Sequence, residues 1–120
     1  METVKKLWGC ERWLHNNKDY CVKILELQPG VQSSLHYHKV KGETFVVVSG
    51  KVKLEVLQHF TTSDVTPHIK TMYLKPYQHH TLAPWTPHRF TAVDGPATIV
   101  EASSFHDEED VFRLEDSRAI

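Results

Sequence analysis

Residues 30–50 read Gly30-Val31-Gln32-Ser33-Ser34-Leu35-His36-Tyr37-His38-Lys39-Val40-Lys41-Gly42-Glu43-Thr44-Phe45-Val46-Val47-Val48-Ser49-Gly50. Two strand-forming runs, Val31–His38 and Glu43–Ser49, flank the short polar turn Lys39-Val40-Lys41-Gly42, and Gly50 ends the second run. Side chains two apart on a strand share a face, so His36 and His38 point the same way with backbones about 6.6 Å apart. Glu43 opens the next strand, and Phe45 and Val47 share its face. A carboxylate at the head of an apolar, inward face is costly unless something neutralises it. A hairpin across Lys39–Gly42 would set Glu43 beside the two histidines, and a metal ion held by all three is a suitable partner.

The same strand-and-turn reading extends outward. Tyr20–Gln28 is rich in β-branched and apolar residues and stops at Pro29-Gly30. Lys51–His59 alternates, with Val52, Leu54 and Val56 on one face and Lys51, Lys53 and Glu55 on the other. Thr61–Thr66 reads as a polar loop. Ile69–Lys75 is a strand stopped by Pro76, and Pro84-Trp85-Thr86-Pro87 is a tight turn. His88–Val93 and Ala97–Ser103 follow as strands, separated by Asp94-Gly95-Pro96. Only the acidic tail, Asp107–Asp116, looks helical, with Arg113 able to pair with Glu109 one turn earlier. Many short strands broken by Gly and Pro predict an all-β sandwich or barrel with a short C-terminal helical segment.

The chain has 120 residues, which fits one domain over 1–120. Its 40% hydrophobic and 24% charged content is ordinary for a globular protein, and a net charge of −1 argues against a nucleic-acid or anionic-membrane partner. There is no apolar run of membrane-spanning length and no signal-peptide pattern at Met1–Lys6, so a cytoplasmic location is expected. Cys10 and Cys21 lack metal-site spacing and read as reduced packing residues.

Nine histidines are unusual for this length, and several are clustered: His36 with His38, His79 with His80, and His88 after Pro87. His88 opens a strand whose same-face residue is Phe90, which makes it a further inward imidazole. Three imidazoles and one carboxylate, His36, His38, His88 and Glu43, suit one divalent Mn, Fe, Co, Ni or Zn ion and suit Ca or Mg poorly.

The spacing Gly30-x5-His36-x-His38-x4-Glu43-x6-Gly50 resembles the complete first motif of the cupins. Pro84-x3-His88 resembles their second motif, with Trp85 where that turn usually has Gly and Ala92 where an Asn is usual. The resemblance implies a double-stranded β-helix, a jelly-roll barrel with the metal inside one end, and a homodimer. The flanks Leu7-Trp8-Gly9, Tyr20-x-Val22-Lys23 and Pro29-Gly30, the Pro87-His88-Arg89 triplet and the acidic tail resemble the isomerase domain of type II phosphomannose isomerases. That family often carries Gln at the position of His36. Small single-domain sugar-isomerase-like cupins are the closer match.

The resemblance implies a metal-dependent aldose–ketose isomerase acting on a sugar or sugar phosphate. Such a reaction needs a Lewis acid on the substrate oxygens and a base beside the carbon. Glu101 is the first candidate base, because it shares a face with Ile99 in an otherwise apolar strand. His80, which shares a face with Gln78 and Leu82, is the second. Matched to the same family, Lys23 would contact substrate or its phosphate, although strand alternation alone leaves open whether Lys23 or Val22 faces inward. Arg89 and Tyr37 should point outward. Trp8, Trp13 and Trp85 read as packing residues. Two other classes share these features: a non-haem iron dioxygenase, for which the same donor set leaves an open position for O₂, and a non-catalytic sugar-binding module.

Overall fold

The computed structural model describes residues 1–58 and 68–120, so His59 and the Thr61–Thr66 loop lie outside the described residues. In chain order the strands are β1 (Glu2–Lys6), β2 (Gly9–Asn16), β3 (Cys21–Leu27), β4 (Val31–Gln32), β5 (Leu35–Tyr37), β6 (Glu43–Ser49), β7 (Val52–Gln58), β8 (His68–Leu74), β9 (His79–Leu82), β10 (His88–Ala92), β11 (Ala97–Ser103), β12 (Phe112–Glu115) and β13 (Arg118–Ala119). One sheet runs β1-β2-β3-β11-β6-β9. The other runs β12-β5-β10-β4-β13, with β7 paired to β10 and β8 to β7. This is the antiparallel jelly-roll barrel that the resemblance implied. Among the described residues no helix is long and apolar enough to cross a membrane.

Period-2 alternation builds the core. β3 buries Cys21, Lys23, Leu25 and Leu27; β6 buries Glu43, Phe45 and Val47; β11 buries Ala97, Ile99 and Glu101. Trp8, Leu54 and Phe90 close the cluster from neighbouring segments. Each fully buried Leu or Phe contributes about 1.5–3 kcal/mol, so the register of these three strands is firmly set. The same alternation answers the question about β3: Lys23, not Val22, faces inward. Gly50 is required by its turn, since it has φ +77° and a Cβ there would lie 2.4 Å from the Pro96 carbonyl oxygen.

Three sequence expectations need correction, and one element was missed. The run Val31–His38 is not one strand. It breaks at Ser33-Ser34, where Ser33 N donates to the Phe90 carbonyl and Ser33 Oγ accepts from Phe90 N, both at 3.0 Å. Second, Lys39–Gly42 is not a hairpin turn. β5 pairs with β10 and β12, whereas β6 pairs with β11 and β9, so the segment crosses from one sheet to the other. Third, the acidic tail is helical only over Glu108–Asp110, a single 3₁₀ turn capped by the Asp107 side chain. Phe112–Glu115 then pairs with β5, placing Arg113 opposite His36 rather than above Glu109. Finally, the hairpin of β1 and β2 was not anticipated, because its charged residues hide the alternation. Both cysteines are free, as expected.

Candidate metal centre and cavity

The first histidine cluster and His88 meet at one end of the barrel. His88 lies opposite His36 in the β10–β5 pairing, and one nitrogen from each of His36, His38 and His88 lies within 4.8 Å of the others. The three rings are held alike. His36 Nδ1 lies 3.0 Å from the Ser34 carbonyl oxygen, His38 Nδ1 2.9 Å from that of Asp110, and His88 Nδ1 2.9 Å from that of Thr86. A carbonyl oxygen only accepts, so each Nδ1 carries a proton, and on a neutral ring Nε2 presents a bare lone pair; Ser34 Oγ, also 3.0 Å from His36 Nδ1, then accepts as well. The break at Ser33-Ser34 supplies this partner for His36. The Pro84–Pro87 turn supplies it for His88.

Glu43 enters from the other sheet. Its Oε2 lies 3.1 Å from His38 Nε2 and its Oε1 3.2 Å from His88 Nε2. With neutral rings all of these atoms are acceptors, so the contacts are neither hydrogen bonds nor ion pairs. Glu43 Oε2 and His88 Nε2 are buried and have no hydrogen-bond partner among the described residues. Burial pushes the His36 imidazole down to about 3, helped by its histidine neighbours, so it stays neutral. Acceptor lone pairs converging without a donor are the arrangement a cation stabilises. His36, His38 and His88 can hold a divalent metal, and the adjacent carboxylate fits the same ion.

A cavity of about 140 Å³ opens beside this cluster, lined in part by Lys23, Lys41, Glu101 and His106. Lys41 Nζ donates to Glu101 Oε2 at 2.7 Å and to His106 Nδ1 at 2.9 Å, and sits 3.7 Å from Glu43 Oε2. Burial alone would lower the Lys41 ammonium, but Glu101 and Glu43 outweigh it and hold it above the ordinary lysine range. Because Lys41 donates to Nδ1, His106 carries its proton on Nε2 and donates to Glu108 Oε1 at 2.6 Å. Its tautomer is thus opposite to that of the other three rings. Lys23 is only 1% exposed, lies 3.7 Å from Glu11 Oε1 and packs 4.0 Å over the Trp13 ring.

Of the residues selected from sequence, His36, His38, Glu43, Glu101 and Lys23 line the cavity, and His88 joins His36 and His38 in the histidine cluster. His80 stands apart. It shares the face of buried Leu82, as alternation requires, but β9 is the outermost strand of its sheet, so His80 is half-exposed and does not line the cavity. Arg89 points away and forks onto Glu55 at 3.0 and 3.1 Å, with Glu115 at 2.8 Å. Tyr37 faces outward between Trp85 and Phe112. Lys41 and His106 were missed. Lys41 had no strand-period signal, because it lies in the segment between β5 and β6. His106 had none either, since it lies in no strand whose period could orient it.

A family model described as mannose-6-phosphate isomerase C-terminal matches residues 1–116. The chain belongs to this family. Solved structures of other proteins share its fold. Oxalate decarboxylase from Bacillus subtilis superposes with a TM-score of 0.79 at 16% identity, covering 94% of this chain and 30% of that one. The capsular polysaccharide assembling protein CapF from Staphylococcus aureus gives 0.79 at 21% identity, covering 95% and 34%. KdgF from Halomonas sp. gives 0.73 at 13% identity, covering 91% and 92%. The chain therefore spans about a third of the first two and most of the third. At these identities the likeness is one of fold. No curated protein matches the chain by sequence.

Proposed function

We propose that the chain is a metal-dependent aldose–ketose isomerase acting on a sugar or sugar phosphate. The observation that carries this reading is the meeting, at one cavity, of converging acceptor lone pairs with the buried Glu101–Lys41 pair. A divalent transition metal held by His36, His38, Glu43 and His88 would supply Lewis-acid polarisation of the substrate's carbonyl and hydroxyl oxygens. The remaining work falls to side chains of the chain itself. Glu101 takes the proton from one carbon and returns it to the next. Lys41, at 2.7 Å, fixes the orientation of that carboxylate. Lys23 faces the same space and binds a substrate oxygen. It is buried, and the Glu11 carboxylate at 3.7 Å is beyond hydrogen-bond distance, which suits that role. His80 is not assigned a part, because it does not line the cavity.

The test is an anaerobic screen of aldoses and their phosphates in D₂O with metal-loaded protein. Interconversion of aldose and ketose, with deuterium appearing at the carbon that receives the proton, is the expected result. Glu101→Gln keeps the shape and an acceptor for Lys41 but removes the base. Its turnover should fall about 10²- to 10⁴-fold while metal content stays the same. Undiminished turnover would remove Glu101 from the role. Turnover that consumes O₂ would assign the same donor set to a dioxygenase. Ligand-induced thermal stabilisation without turnover would mark a sugar-binding module.

A further inference from the structure

We infer that Asp110 is a positioning residue for the metal-binding end of the barrel, acting through His38 and the segment that joins His38 to Glu43. This rests on the reading of His36, His38, Glu43 and His88 as metal ligands. The backbone carbonyl of Asp110 accepts from His38 Nδ1 at 2.9 Å, which fixes the plane of the ring and the tautomer that leaves Nε2 bare. The carboxylate of the same residue accepts from Lys39 N at 2.8 Å, from Val40 N at 3.1 Å and from Lys41 N at 3.0 Å. These are the three residues that follow His38.

The segment needs such a holder. Strands β5 and β6 lie in different sheets, so no ladder of hydrogen bonds runs between them to fix the distance from His38 to Glu43. Amide groups 39–41 would otherwise have no regular partner. Asp110 supplies all three acceptors from a 3₁₀ turn at the far end of the sequence. Burial raises its carboxyl, but the three amides outweigh that and hold it below the ordinary aspartate range. The neighbouring tail residues His106, Glu108, Val111 and Arg113 line the cavity, so the segment that positions His38 also forms a wall of the site.

The experiment is Co²⁺ titration of metal-free protein, followed by calorimetry and by the d–d absorption band. Wild type, Asp110→Ala, Asp110→Asn, Glu115→Ala and His88→Ala are compared. Loss of a partner that orients a ligand typically weakens metal binding about 10- to 100-fold, and this is the drop expected for Asp110→Ala, with an altered Co²⁺ band. Asp110→Asn keeps one acceptor oxygen and should be intermediate. It also carries the test if the alanine variant does not fold. Glu115→Ala loosens the same tail at Arg89, away from the His38 segment, and should bind Co²⁺ like wild type. The inference is overturned if wild type binds Co²⁺, His88→Ala abolishes binding, and both Asp110 variants bind like wild type. A wild type that takes up no Co²⁺ overturns the metal reading itself, and this inference with it.

Discussion

At the scale of single residues, proton placement decides the chemistry. Three backbone carbonyls accept from the Nδ1 atoms of His36, His38 and His88, and Nε2 of His38 and of His88 faces a carboxylate that only accepts. With neutral rings and no cation these contacts are repulsive. Glu43→Gln places an amide donor among the same lone pairs. The metal-free variant should therefore be more stable than wild type by about 1 kcal/mol in urea denaturation, while its metal content drops sharply. His106 gives a pH signature of opposite origin. Burial, then Lys41 and Lys23, lower it from 6.5 to about 4 despite Glu108. Between those values the unfolded chain holds a proton that the folded chain lacks. Stability should thus fall as pH drops from 6.5 towards 4 and level off below. His106→Asn keeps an acceptor for Lys41 and cannot titrate. Its denaturation midpoint should decline less across that window than that of wild type.

At the scale of elements, two short irregular segments do what the regular strands cannot. The Pro84–Pro87 turn places Trp85 at φ +65°, in the left-handed region that favours glycine. The turn keeps its shape despite the bulky residue, and Trp85 N donates to the His38 carbonyl at 2.6 Å. The ring stacks on Tyr37 with centroids 5.7 Å apart. Trp85→Gly relieves the strain but loses the stack, so it should change stability by less than about 1 kcal/mol. Trp85→Ala loses the stack and keeps the strain, and should be less stable than the glycine variant by about 1 kcal/mol in the same denaturation assay. The C-terminal segment is the second case. Its acidic composition favours a helix locally, yet Phe112 gains more by packing on Tyr37 than a short solvated helix could offer.

At the scale of the molecule, the proposed ligands join the two sheets. His36 and His88 belong to one sheet, on β5 and β10, and Glu43 belongs to the other, on β6. A cation shared between them would cross-link the barrel at one end. Metal bound only by the folded chain stabilises it by about 2.7 kcal/mol at a free concentration one hundred times the dissociation constant. Chelation should therefore lower the melting temperature. It should also speed amide exchange in β5 and β10 more than in β3, which carries none of the ligands; equal loosening everywhere would count against a cross-link at this end.

The sequence by itself determined the strand faces, because alternation is strictly local. It put His36 beside His38 in direction, Glu43 above Phe45 and Val47, and Glu101 with Ile99, and the structure keeps each of these pairings. The family resemblance carried by the glycine and histidine motif also named the fold. Only the tertiary structure decided what meets across the sheets. It turned an expected hairpin into a crossing between sheets, put Lys23 inward and left His80 outside the cavity. It brought Lys41 and His106 to Glu101, and made the tail a wall of the site. The reason is physical: a strand's period fixes a side chain's face from its neighbours in sequence, whereas the partners on that face come from strands whose register is set by packing the whole core.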